Sequence, residues 1–219
     1  YELLLMLKRK ENNNKKDRKS QLLIVGSLLI LIGVSVIGGK LFIDMKKDDL
    51  ENIALIEFYE EQEEIKQTPP AETNEEKQEE IKSTKPLDYV AVLKIPSIGL
   101  EKGLVSKDSY YNNVNKNIKI LDESDMPDKE NGNVILAAHS GNGRTAFFKN
   151  LNKLKKDNIV SVFYNGYEYK YKMVNTYDVE KTGTVEIVRN SEKNTLLVIT
   201  CRHNTNKQIV VICELVEKM

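Results

Sequence analysis

Between Leu22 and Gly39 the chain has no charged side chain, and this run limits what can surround it. Over Gln21 to Ile43 it reads QLLIVGSLLILIGVSVIGGKLFI. An α-helix rises about 1.5 Å per residue, so ~20 residues cross a hydrocarbon core of about 30 Å. A helix buried in a protein core would need other apolar elements on every side, and no second apolar helix follows. A transmembrane helix is therefore expected over residues 21–43. Upstream lie Lys8, Arg9, Lys10, Lys15, Lys16, Arg18 and Lys19, whereas Lys46 and Lys47 downstream are balanced by Asp44, Asp48, Asp49 and Glu51. Positive charge stays inside, so residues 1–20 read as a cytoplasmic tail and the bulk of the chain as extracytoplasmic. The run is long for the apolar part of a cleaved signal peptide and no A-x-A site follows it, so an uncleaved anchor is expected. The chain opens on Tyr1 rather than Met, so a few residues are expected before it.

The 219 residues carry 33 Lys and Arg against 33 Asp and Glu, so no global charge points to nucleic acid. Residues 44–85 form an acidic spacer. Its first part, Asp48 to Ile65, has helix-forming composition, with Leu50, Ile53, Ala54 and Phe58 near helical spacing. Pro69 and Pro70 end that pattern, and the stretch to Lys85 is Glu, Lys, Gln and Thr with almost nothing apolar. Such a composition cannot bury a core, so a disordered spacer is expected, and a fragment beginning near Thr84 should fold and be soluble. From residue 86 onward strand patterns recur: Tyr89–Ile95, Val134–His139, Ile159–Tyr164, Tyr167–Tyr177, Thr195–Cys201 and Ile209–Val216. Asn165-Gly166 joins two of them as a type I′ hairpin turn, which needs positive φ at both positions. One helix is expected from Thr145 to Lys155, with Phe147, Phe148, Leu151 and Leu154 on one face. Residues 86–219 thus read as one mainly-β domain, a closed or nearly closed barrel.

The chemistry-bearing inventory is small. Cys201, Cys213, His139 and His203 are the only cysteines and histidines, too few for a disulfide framework and wrongly spaced for a usual zinc site. No metal and no cofactor is expected. Cys201 ends the apolar run TLLVITC and a polar stretch follows, which presents a thiol at the rim of a sheet. Cys213, inside IVVICEL, fits a buried core thiol. His139 ends a second such run, NVILAAH. A thiol nucleophile needs a nearby base or cation near neutral pH, so Cys201 and His139 form a candidate pair. His203 is a second candidate base, usually only an exposed loop residue in such a place. Arg144, in SGNGR, either lines a groove or is a solvated loop residue. Ser140 lacks the G-x-S-x-G surroundings of a serine nucleophile.

KIPSIGL, VILAAHSG and LVITC together resemble the sortases of Gram-positive bacteria, and the resemblance covers residues 86–219. The family's TLxTC motif reads here Leu197-Val198-Ile199-Thr200-Cys201, with its Thr-Cys pair kept. The short separation of His139 and Cys201 is similar to the compact class A rather than to class B with its inserted helix. The resemblance implies an eight-stranded sortase barrel with one or two short helices. It implies that Cys201 attacks a carbonyl within a C-terminal sorting motif of a surface protein, with His139 as acid/base. An amine, from a peptidoglycan precursor or a pilin lysine, then takes the acyl group. The family's arginine at the start of the last strand is missing, because no arginine follows Arg202. Gln208, then Lys207, then Arg202 are the expected substitutes. A thiol hydrolase and a membrane-tethered barrel that only binds a partner are the alternatives.

Overall fold

The computed structural model describes residues 2–67, 87–202 and 204–219, with side chains from residue 21 onward. The spacer expected over residues 68–85 and the candidate base His203 lie outside the described residues. The molecule divides into two compact units, residues 1–50 and 51–219. The first is helical throughout, within α1 (Glu2–Gln67). Among its described side chains, Leu22, Ile30, Val36 and Phe42 are more than half exposed. Residues 21–67 include a window long and apolar enough to cross a membrane.

The second unit is mainly β. Its strands are β1 (Tyr89–Ile95), β2 (Leu100–Val105), β3 (Lys119–Ile120), β4 (Asn133–Ala137), β5 (Ile159–Tyr164), β6 (Tyr167–Glu180), β7 (Thr195–Cys201) and β8 (Lys207–Lys218). They make one eight-stranded sheet in the order β2-β1-β5-β6-β8-β7-β4-β3. All described pairings are antiparallel except β4 with β7. The sheet curls into a nearly closed barrel, and Asn117 Nδ2, just before β3, donates to the Gly103 carbonyl of β2 at 2.9 Å. Inside lie Leu93, Leu104, Leu136, Phe148, Val160, Tyr171, Leu196, Val198, Val211 and Cys213.

Local chemistry sets the connections. In KIPSIGL, Pro96–Ile98 form one 3-10 turn that ends on Gly99 at φ 64, with its N–H on the Pro96 carbonyl. A left-handed residue there turns β1 back into β2, and glycine adopts it without strain. Asn165 and Gly166 have φ 51 and 78, the two positive values of the expected type I′ hairpin between β5 and β6. Strands β2 and β3 carried no sequence signal of their own. The first contains Gly103 and alternates poorly, and the second is two residues long.

The helix expected over Thr145 to Lys155 does not form. Successive i→i+3 bonds fold this stretch into turns: Ala146 to Gly143, Lys149 to Ala146, Leu151 to Phe148, Leu154 to Leu151. Only Leu151–Lys153 is a regular 3-10 turn. The glycine-rich SGNG lead-in offers no cap, and Asn150 and Asn152 are weak helix formers. The apolar spacing still had a cause, since Phe148, Leu151 and Leu154 are all buried in the barrel core.

Residues 51–67 of α1 pack on the outside of the barrel. Ala54 and Phe58 are buried in a cluster with Tyr89, Val92 and Val105, and Tyr59 stacks edge-on to Phe163 at 5.3 Å. Tyr59 donates to Glu101 at 2.7 Å, the Gly166 N–H donates to Gln62 Oε1, and Lys102 meets Glu51 at 2.5 Å. This part of the spacer therefore contributes core, where composition alone suggested none.

Candidate active site

Strands β4 and β7 run side by side in parallel, with Ala137 beside Ile199. The offset continues past the paired residues: the Thr200 hydroxyl donates to the Ala138 carbonyl at 2.7 Å, a separation of 62 positions. The same offset sets His139 beside Cys201. Side chains alternate along a strand, so one face carries Ile135 and Ala137 on β4 and Leu197, Ile199 and Cys201 on β7, and His139 follows two residues after β4 ends. Ile135, Leu197 and Ile199 belong to an apolar cluster outside the barrel, separate from the interior core. His139, two residues past the end of β4, and Cys201, the last residue of β7, thus lie at neighbouring strand ends, and both are half-buried. A one-residue slip in either strand would send one of them to the opposite face.

His139 Nε2 donates to Asn115 Oδ1 at 3.0 Å, from the loop between β2 and β3. Sequence reasoning had no signal for Asn115, which sits in an asparagine-rich loop without periodicity. Ser140 Oγ donates to the Cys201 carbonyl, clamping the two strand ends together. A cavity of about 190 Å³ opens beside the thiol, lined by Ser140, Phe148, Lys149, Thr200, Cys201 and Arg202 among others.

The three candidates for the missing arginine fall in different places. Cys201 pairs directly with Gln208 across β7 and β8, so the two side chains share a face. Lys207, one position earlier, takes the other face, and its ammonium lies 3.7 Å from Glu180. Arg202 follows Cys201 and also turns away. Its Nε and Nη2 donate to Asp178 Oδ1 at 2.9 and 2.6 Å. Asp178 was not singled out in the sequence. Cys213, on the interior side of β8, is fully buried, and burial pushes its thiol up to about 12. Arg144 is exposed in the loop after His139.

The face that carries Cys201 is walled by residues 181–194, which join β6 to β7 without a helix. Val185 and Ile187 pack over Ile199 and Val210, beside Tyr177 and Val179 of β6. The Tyr177 hydroxyl donates to the Glu186 carbonyl at 2.9 Å and accepts from the Val188 N–H at 3.1 Å. The arrangement is a half-buried thiol at a strand end, with Gln208 paired across from it, beside an apolar cluster that residues 181–194 cover.

A family model for the sortase domain matches residues 93–216, more than half of the chain. Sortase D of Bacillus subtilis (strain 168) is 29% identical over 110 residues, 50% of this chain and 52% of that protein. The chain thus spans about half the length of this relative. Among solved structures, a Clostridium perfringens Sortase D5 transpeptidase is similar at TM-score 0.55 and 22% identity, over 77% of this chain and 99% of that one. A Streptococcus pneumoniae Sortase C is similar at 0.52 and 19%, over 59% and 67%. These structures share the barrel; the matched domain model contains both candidate residues, His139 and Cys201. With its sheet order and its matched domain, the chain belongs to the sortase family.

Proposed function

We propose that the chain is a membrane-anchored cysteine transpeptidase whose nucleophile is Cys201 and whose acid/base is His139. The observation that supports this reading is the parallel register of β4 and β7, which leads to His139 and Cys201 at neighbouring strand ends. The match to the sortase domain supports a peptide as substrate, namely the C-terminal sorting motif of a surface protein. The sulfur attacks the carbonyl of the scissile bond and its proton passes to the His139 ring. The tetrahedral oxyanion collapses, the C–N bond breaks, and His139 returns the proton to the leaving amine. The acyl group now rests on Cys201 as a thioester, to be taken by an incoming amine of a peptidoglycan precursor or a pilin. His139 accepts that amine's proton, and the thiol is regenerated. Gln208 is the side chain of the missing-arginine set that faces the thiol, so its carboxamide N–H is the oxyanion donor. A well-placed donor contributes about 3–4 kcal/mol to such a step. Lys207 and Arg202 balance Glu180 and Asp178 on the other face. Residues 1–20 are the cytoplasmic tail, 21–43 the span in the lipid bilayer, 44–85 the spacer and 86–219 the extracytoplasmic catalytic domain.

Mass spectrometry after incubation with a panel of sorting-motif peptides tests this. The expected product is an acyl adduct on Cys201, which disappears when an amine acceptor is added and reappears as ligated peptide. Free acid in equal yield with and without acceptor would make the protein a thiol hydrolase. No adduct with any peptide, and inertness to a thiol-directed peptide inhibitor, would leave a binding module.

A further inference from the structure

Lys102 is a charged residue in an apolar place. It lies on β2, on the face shared with the core residue Leu104, and is 5% exposed. Its ammonium meets the Glu51 carboxylate at 2.5 Å and stands 4.7 Å from the centre of the Phe147 ring. Those two partners belong to different parts of the molecule. Glu51 is on the segment of α1 that directly follows the apolar span. Phe147 is on the loop that follows His139, and the next residue, Phe148, is buried in the core and donates its N–H to the His139 carbonyl at 3.0 Å. One buried ammonium thus connects the membrane-proximal helix to the loop that closes back on His139.

We propose that Lys102 and Glu51 are positioning residues for His139, and that docking of residues 51–67 on the barrel sets the loop 139–148 in its working geometry. The inference rests on reading His139 as the acid/base. A buried ammonium is tolerated only while it is paired. When Glu51 is withdrawn, Lys102 loses the carboxylate that holds it in this place, and the cation shifts off the face of Phe147. Phe147 then loses its cover, and the Phe148 bond to His139 loses the packing that fixes its distance. Charge travels nowhere in this device. What moves is the loop, and the imidazole with it. The anchor helix is thereby a condition for activity, and a barrel released from it is slow.

The test uses the full chain in nanodiscs, with Glu51→Gln, Lys102→Met, Lys102→Arg and the exchange Glu51→Lys with Lys102→Glu. The readouts are kcat and KM for formation of the acyl adduct and the NMR shift of the His139 ring Cε1–H across pH. Glu51→Gln and Lys102→Met are expected to lower kcat about tenfold, as small displacements of a reacting group do, with KM changed less than about twofold. Their His139 resonance should move. Lys102→Arg should restore kcat to within about threefold of the parent. The exchange restores the ion pair but not a cation over Phe147, and should recover only part of the rate. Unchanged kcat together with an unmoved His139 resonance overturns the proposal. So does a loss in Lys102→Met that Lys102→Arg does not repair, or one carried by KM alone. If no adduct forms even in the parent chain, the transpeptidase reading fails, and the His139 resonance still decides whether the helix reaches the loop.

Discussion

Two thiols on paired strands meet opposite surroundings, and their chemistry should diverge accordingly. Cys201 is half-buried at an open strand end, whereas Cys213 is fully buried in the barrel. In the native protein a thiol reagent at neutral pH should label Cys201 alone, as peptide mapping will show. Cys201→Ala should abolish the acyl adduct and keep the fold. Cys213→Ala should keep turnover and cost about 1–3 kcal/mol in denaturant melts. The raised thiol of Cys213 also has a signed consequence. Both states are protonated below the unfolded value of about 9, and only the unfolded chain has lost the proton between there and about 12. Stability therefore falls as pH climbs through that window. The buried Tyr171 hydroxyl, raised by burial, acts in the same direction. Cys213→Val should flatten part of the alkaline loss of Tm, and an unchanged alkaline profile would refute the assignment. At the oxyanion, Gln208→Ala should reduce kcat/KM by ~10²-fold, the usual cost of one lost donor. Lys207→Ala and Arg202→Ala should do far less. A loss confined to Arg202 would mean that its pairing with Asp178 opens during the reaction. The candidate pair was legible in the sequence because two apolar runs stop on His and Cys. Its neighbour Asn115 was not, because it reaches His139 from a loop whose position no local pattern fixes.

Periodicity in the sequence identified the elements that alternate cleanly and missed those whose form is set by neighbours. The TLLVITC strand, the Asn165-Gly166 hairpin and the alternation through Tyr167, Tyr169 and Tyr171 all appear in the fold. Strand β2 exists because β1 pairs with it and because Gly103 leaves room for Tyr89. A Cβ at position 103 would lie 2.2 Å from the Tyr89 ring. Gly103→Ala should therefore force the ring out of its site and lower Tm by several degrees, roughly the effect of 1–3 kcal/mol of overpacking in a domain of this size. The missing helix at 145–155 shows the converse, where core contacts of Phe148, Leu151 and Leu154 are satisfied by turns. Residues 51–67 were read as spacer because the sequence around them is acidic, yet one side of that helix, Ala54 and Phe58, finds the outer face of β1 and β2. Phe58→Ala should cost about 3 kcal/mol, and a fragment starting near Thr84 should melt well below one starting at Glu51. Equal melting points for the two fragments would show that the helix is not part of the folded domain.

At the scale of the whole chain, an apolar helix long enough to cross a membrane precedes a barrel with a half-buried thiol at a strand end. In the proposed reaction the sorting peptide is held at a membrane surface, so the side on which residues 51–219 lie decides whether that chemistry is possible. The charge asymmetry argues for the outside. Seven basic residues precede the span, whereas the two lysines after it are offset by acids. Basic flanks of short tails are held in the cytoplasm, and acids contribute little to the opposite pull. The stretch 68–85 offers a protease site between anchor and barrel, because it carries many lysines and glutamates and almost no apolar residue to protect it. Protease added to intact, wall-stripped cells should therefore release a soluble fragment that begins within residues 68–85 and carries Cys201. The released fragment is cut from residues 51–67 and so loses Glu51 as partner for Lys102, and its adduct formation should slow relative to the anchored protein. Cleavage seen only after lysis would reverse the topology and remove the substrate class with it. Release without any slowing would keep the topology and separate the catalytic barrel from its helix.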